Sequence, residues 1–235
     1  EWRLAAPVSR NPYGFVVPNG LDTDEFANLP AKGAFRAQHP EIGDRPIVLF
    51  LGRLNFKKGL DLLAPAFGQI LAAGHDAHLV IAGPDDDMAE KTRGWLAAAN
   101  ALDRTTFTGM ITGDEKLAAL ADASMFVLPS YSENFGIAVA EAMACNLPVV
   151  ISDAVNIWPE VQAAGAGLVG PCDVGTTARN MMQILDDPDR AAEMGARGVR
   201  LVRERYSWDG IAPMLEKAYE DVLAGRHSEL KPSHD

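Results

Sequence analysis

Cysteine is scarce in this sequence: Cys145 and Cys172 are the only two in 235 residues. They form no CxxC pair and no Cys/His cluster with zinc spacing, which excludes a disulfide scaffold and a structural zinc. Both are expected as buried thiols in a reducing compartment. No stretch reaches the ~18 consecutive apolar residues of a membrane span. Cations are in the minority, 21 against 32 acidic residues, for a formal charge of −11. That balance disfavours wrapping a polyanion such as a nucleic acid, which needs many Lys and Arg to neutralise phosphates. It leaves room for one small anionic ligand, since two or three well-placed cations suffice for a diphosphate. The opening Glu1-Trp2-Arg3-Leu4 has neither an initiator Met nor the charged-then-apolar layout of a signal peptide. The chain is expected to be a fragment or an excised domain, so the absent targeting signals say little about the full-length protein, which is expected to be cytoplasmic.

Short apolar runs are present at 15–17, 47–51, 78–82, 125–128, 148–151 and, more weakly, 167–169. A strand buried on both faces shows a continuous apolar run, not an alternating one. Helical patterns lie between the runs, at about 59–73, 87–100, 114–122, 136–145, 157–164 and 174–187. This alternation predicts right-handed βαβ units and an α/β, doubly wound parallel sheet of the Rossmann-like class. From Pro188 onward the pattern is helical, with one helix over 189–206 and a second begun by Ser207, whose hydroxyl suits an N-cap. A polar tail follows Gly225. Asp85-Asp86-Asp87 opens the 87–100 helix, a position that favours capping over cation binding.

Ligands of open parallel sheets bind beyond the carboxyl ends of strands, and two post-strand loops carry unusual residues. Gly52-Arg53-Leu54-Asn55-Phe56-Lys57-Lys58-Gly59 follows the 47–51 run and leads into a helix N-terminus. Free amides and a partial positive charge there suit phosphate. Arg53 adds a two-pronged donor and Lys58 a compact cation. The plainer reading of this loop is a solvated basic turn. Pro129-Ser130-Tyr131-Ser132-Glu133-Asn134-Phe135-Gly136 follows the 125–128 run and opens the helix holding Glu141. Glu141 lies among alanines, Val139 and Met143, where a carboxylate is costly without partners. It reads as a core Glu paired with an Arg, as one lying on a narrow exposed face, or as an acceptor for a diol such as ribose. Glu133 and Glu141 are separated by roughly 12 Å at helical rise, too far for the shared proton transfer of a two-carboxylate glycosidase.

The combination resembles the GT-B glycosyltransferases of the large retaining family that includes sucrose and glycogen synthases. The resemblance rests on Pro18-Asn19-Gly20-Leu21-Asp22, Gly52-Arg53-Leu54 with Lys58-Gly59, Ala82-Gly83-Pro84 and Phe107-Thr108-Gly109. It continues through Pro129-Ser130 with Glu133-Asn134-Phe135-Gly136, Glu141-Ala142-Met143-Ala144 and Leu147-Pro148-Val149-Val150. It runs from about residue 15 to 222, in the family's order and spacing. Two departures stand out. Asn146 replaces a usual Gly, and Asn also tolerates a left-handed backbone. Val155-Asn156-Ile157-Trp158-Pro159-Glu160 replaces a commoner glycine-rich turn and is expected to reshape the wall beside the donor sugar.

The resemblance implies one half of a GT-B fold with C-terminal helices. The expected divisions are an interdomain remnant at 1–13, a nucleotide-sugar-binding domain at 14–206, a helix at 207–225 that would return to a missing N-terminal domain, and a polar tail at 226–235. It implies that Arg53 and Lys58 bind the donor diphosphate and stabilise the leaving group, that Glu133 contacts donor-sugar hydroxyls, and that Glu141 holds the ribose. Gly52 and the backbone of Asn134, Phe135 and Gly136 would approach phosphates and sugar, and Met110 and Ile111 would meet the base. The implied reaction is metal-independent transfer with retention, from a UDP- or GDP-sugar as substrate, with no cofactor. The expected partners are the nucleotide-sugar and the chain's own acceptor-binding N-terminal domain, with no nucleic acid; membrane association of the whole protein is left open. The alternatives are a nucleotide-sugar epimerase of GT-B fold and a non-catalytic nucleotide-sugar-binding module. A flavodoxin-like response module lacks its acidic phosphorylation cluster here. The last helix is expected to leave an apolar face with Ile211, Met214 and Leu215 partly uncovered.

Overall fold

A computed structural model describes residues 17–226. Six parallel strands form one sheet in the order β3-β2-β1-β4-β5-β6, with β1 Ile47–Leu51, β2 His78–Ala82, β3 Thr105–Gly109, β4 Met125–Leu128, β5 Val149–Ser152 and β6 Gly167–Gly170. The helices are α1 Ala34–Gln38, α2 Leu60–Ala72, α3 Ala89–Ala98, α4 Gly113–Asp122, α5 Ile137–Ala144, α6 Trp158–Ala164, α7 Val174–Asp186, α8 Pro188–Arg205 and α9 Trp208–Leu223. The Rossmann-like expectation therefore holds. The chain steps outward from β1 to β3, then crosses back to β4 and steps outward again to β6. Because such crossovers are right-handed, α2 and α3 cover one face and α5 and α6 the other. α7 packs on α2, while α8 packs on α5 and α6.

The apolar runs become strands because both faces are covered: β1, β2, β4 and β5 are buried almost throughout. β3, Thr-Thr-Phe-Thr-Gly, escapes that pattern because it is an edge strand, half-buried as far as Thr108 and exposed at Gly109. Its apolar member, Phe107, lies under the Arg93 guanidinium at 4.0 Å. α1 is also not evident from periodicity. Its free amides are satisfied from far along the chain, by Asp122, which accepts from the main chains of Gly33, Phe35 and Arg36 at 2.5, 2.9 and 3.1 Å.

Several local expectations are met by specific atoms. Asp85 Oδ1 accepts from the amides of Met88 and Ala89 at 2.9 and 2.8 Å, satisfying free amides at the start of α3 as expected of this acidic run. Ser207 Oγ accepts from Gly210 N at 3.2 Å, capping α9. Asn146 has φ 63°, the left-handed conformation expected at a glycine-like position. Others are corrected. Cys145 is buried, but Cys172 is only half-buried. The last helix does present a partly uncovered apolar face, with Met214 exposed and Leu215 half-buried, but Ile211 is covered. The expected strand at 15–17 and the remnant at 1–13 lie outside the described residues, save Val17, which is in no strand, as does the tail beyond Arg226.

Candidate active site at the switch point

β1 sits between β2 and β4, so the direction of winding reverses there. At such a point the loops leaving two neighbouring strands diverge to opposite faces and open a crevice. Here those are the Arg53/Lys58 loop and the Glu133 loop. Lys57 O accepts from Tyr131 N at 2.8 Å, stitching one loop to the other. A β-carbon on Gly59, whose φ is 70°, would collide with the carbonyl of Pro129. This close approach needs a glycine for two independent reasons, backbone sign and space.

Gly52 leaves β1 with its amide on Ala82 O at 2.9 Å, tying the exit of β1 to that of β2. The chain then turns through a short 3-10 segment, Phe56–Lys58, capped by Asn55 Oδ1 on Lys57 N at 3.0 Å. Gly59 is the N-cap of α2, so the expected helix mouth is present. Lys58 Nζ is paired with Glu133 Oε2, and each side chain is about one-fifth exposed (21% and 20%). The two groups assigned to phosphate and sugar thus touch each other. Arg53 reaches outward, 70% exposed, and its Nη1 lies 3.3 Å from Asp86 Oδ2. The same carboxylate oxygen accepts from Asn55 Nδ2 at 2.8 Å. Asp86, read from sequence as part of a cap, instead braces the loop after β1 through Arg53 and Asn55.

Glu133 is held at main-chain level by the segment after β5. Its amide donates to Ala154 O at 3.1 Å, and its carbonyl accepts from Asn156 N at 3.0 Å. Val155, fully buried, pairs with it across this bridge. The segment that departs from a glycine-rich turn therefore does line the Glu133 loop. Trp158, at the start of α6, is half-buried against the core. Asn134 is exposed, and Phe135 is buried edge-on to Tyr206 with ring centroids 5.1 Å apart. Gly136, φ 76°, is the N-cap of α5.

Glu141, in the second turn of α5, is half-buried, not buried in full, and its partner is not an Arg. Lys116 Nζ from the first turn of α4 lies 2.8 Å from Glu141 Oε1, with side chains 20% and 15% exposed. Beneath them burial pushes the Cys145 thiol up to about 12, with the Glu141 charge a smaller cause. Sequence reasoning missed Lys116, whose partner is 25 residues away on a different element. Met110 and Ile111 follow β3 and diverge, Met110 to solvent (69% exposed) and Ile111 inward. Among the described residues no group of three or more His, Cys, Asp or Glu is arranged to hold a metal, and no helix is long and apolar enough to cross a membrane.

A cleft of about 660 Å³ lies at the opposite, amino edge of the sheet, lined by Pro46, Ser124 and Pro148, which precede β1, β4 and β5. None of the site residues borders it. The chemistry of the loops, not cleft size, locates the candidate site.

The family model for glycosyl transferases group 1 matches residues 31–200. The chain belongs to that family. A GDP-mannose-dependent alpha-(1-6)-phosphatidylinositol monomannoside mannosyltransferase of Mycobacterium tuberculosis is 34% identical over 207 residues, covering 85% of this chain and 54% of its own length. Sucrose-phosphate synthase from Thermosynechococcus elongatus superposes with a TM-score of 0.78 at 31% identity, covering 95% of this chain and 56% of its own. Anabaena HepE in complex with UDP gives a TM-score of 0.79 at 19% identity, covering 88% and 57%, a likeness of fold alone. These neighbours are GT-B glycosyltransferases, and the group 1 chain described here has the fold of one GT-B half. It spans about half the length of the curated relatives it matches.

Proposed function

We propose that this group 1 chain is the donor-binding half of a retaining glycosyltransferase that works without a metal ion, taking a sugar from a nucleotide-sugar and passing it to an acceptor held by a facing N-terminal domain. One observation supports the reading above the others: Lys58 and Glu133, from the loops after β1 and β4, meet at the switch point of the sheet. In this reading the donor diphosphate lies at the mouth of α2, where the helix amides and the Arg53 and Lys58 side chains favour negative charge. Breaking the bond between the sugar and the diphosphate leaves its electron pair on the phosphate oxygen. Arg53 and Lys58 stabilise the charge that builds there, a contribution that is largest where donors are already in place. As the phosphate takes Lys58, Glu133 is released toward donor-sugar hydroxyls. The main chain at Gly52 and at Asn134, Phe135 and Gly136 approaches phosphate and sugar. Glu141 accepts from the ribose, and Met110 and Ile111 flank the base.

The mycobacterial relative is named as GDP-mannose-dependent, which makes GDP-mannose the first donor to test, with UDP-glucose as its rival. Half a GT-B cleft holds the donor but presents no acceptor, so the 235-residue chain is expected to bind nucleotide and to transfer nothing. The test is a transfer assay on the full-length protein and on this chain, with and without a chelator, with the product anomer read by NMR. Chelator-insensitive transfer with retention by the full-length protein alone is the expected result. Transfer by the isolated chain, an inverted product, or loss with chelator would each overturn the corresponding part.

A further inference from the structure

The Lys116–Glu141 pair is not explained by packing alone. A half-buried Lys–Glu pair recovers in mutual attraction little more than the desolvation it costs, and apolar residues of like volume would serve stability as well. Its geometry is lopsided in an informative way. Oε1 of Glu141 receives Lys116 Nζ at 2.8 Å, while among the described residues no hydrogen bond is made to Oε2. An ionised carboxylate accepts on both oxygens, so one face of Glu141 is committed and the other is available. Lys116 itself is held from the far side, with Nζ 5.9 Å from the centroid of the Phe26 ring, within reach of a cation–π attraction. Phe26 is buried. Three elements therefore converge to set one carboxylate: the 3-10 turn Thr23–Phe26, the first turn of α4 and the second turn of α5.

We infer that Lys116 is the positioning residue for Glu141, holding one carboxylate oxygen so that the other faces the crevice and accepts from the ribose of the nucleotide. The inference rests on the reading of Glu141 as the ribose-binding group. Lys116 does not touch the nucleotide. It removes the rotational freedom of the Glu141 side chain before binding, so less ordering remains when the ribose arrives. It also supplies the countercharge that a carboxylate on an apolar helix requires.

The test is calorimetric titration of the 235-residue chain with GDP and UDP and with their 2′,3′-dideoxy counterparts, which keep the diphosphate and base but offer no diol. Lys116→Met is expected to weaken GDP or UDP binding about tenfold, as for loss of one charge-assisted contact, while changing dideoxy-nucleotide binding less than about twofold. Unchanged dideoxy binding also shows that the variant is folded. Lys116→Arg, which keeps the charge and a donor, is expected to restore most of the loss. Equal losses on both ligand types, or no loss on either, would overturn the inference. Glu141→Ala separates the two levels of the proposal. If Glu141→Ala loses affinity for the ribonucleotides but not for the dideoxynucleotides and Lys116→Met shows no such selective loss, the positioning role alone fails. If Glu141→Ala shows no selective loss of ribonucleotide affinity either, the ribose reading fails and the inference with it.

Discussion

The space that a β-carbon on Gly59 would need is filled by the carbonyl of Pro129. The loop after β1 and the loop after β4 are thereby in main-chain contact at the point where α2 begins. Gly59→Ala introduces both a left-handed alanine and a collision with backbone that cannot rotate aside. A cost of about 2–4 kcal/mol is expected, read as a fall in the urea midpoint with unchanged slope. Nucleotide binding should weaken together with stability, because parting the loops separates Lys58 from Glu133. A variant with the parent's midpoint would show that the loops do not need this approach.

Arg53 and Lys58 differ in exposure, and their alanine variants should differ in kind. Both are expected to weaken GDP or UDP binding by about tenfold and to leave nucleoside binding within about twofold. Lys58→Ala also strands the half-buried Glu133 carboxylate and should lower stability by about 1–3 kcal/mol. Arg53, mostly in solvent, should cost almost nothing in stability. Calorimetry with nucleotide and nucleoside, paired with denaturation, checks both parts. Equal affinity losses for nucleoside and nucleotide would count against a phosphate role.

How far the sequence announces this arrangement depends on the range of the interaction. β1, β2, β4 and β5 are visible in it because burial on both faces makes their residues apolar, save His78 and Ser152 at strand ends. Asp85 and Ser207 are visible as caps because a cap acts within four residues of itself. Asn146 is visible because a left-handed position tolerates few side chains. β3 is hidden because an edge strand carries threonines. α1 is hidden because its amides are satisfied by Asp122, more than 80 residues on. The partners of the site's charges are hidden for the same reason: Lys58–Glu133, Arg53–Asp86 and Lys116–Glu141 all join separate βα units, and no local period records which carboxylate meets which cation.

Under the proposed function, Asp86 and the donor phosphate compete for Arg53, which pairs with Asp86 in the free chain. Asp86→Asn keeps an acceptor for Asn55 Nδ2 but removes the charge. Because the Arg53–Asp86 pair is largely solvent-exposed, its strength is small and screened by salt. The variant should bind GDP or UDP about two- to fivefold more tightly at low ionic strength, with the gain fading at high salt. Titrations at two salt concentrations check this; weaker binding would mean that Asp86 supports the loop more than it restrains Arg53.

His78 sets an acid limit on the sheet. It opens β2 almost fully buried, with Nε2 2.9 Å from Thr106 Oγ1 and Nδ1 without a hydrogen-bond partner among the described residues. Burial pushes its ring down from 6.5 to about 4, against a smaller upward pull from Glu41. The folded chain therefore keeps His78 neutral where the unfolded chain would protonate it. Between about pH 4 and 6.5 the unfolded state binds the extra proton, so stability rises with pH. The contribution is complete above 6.5 and is lost as pH falls toward 4. The effect is at most about 3 kcal/mol. His78→Gln, which can still meet Thr106, should remove that part of the slope between pH 6.5 and 4.5 in urea denaturation. An unchanged slope would place the acid sensitivity in other groups.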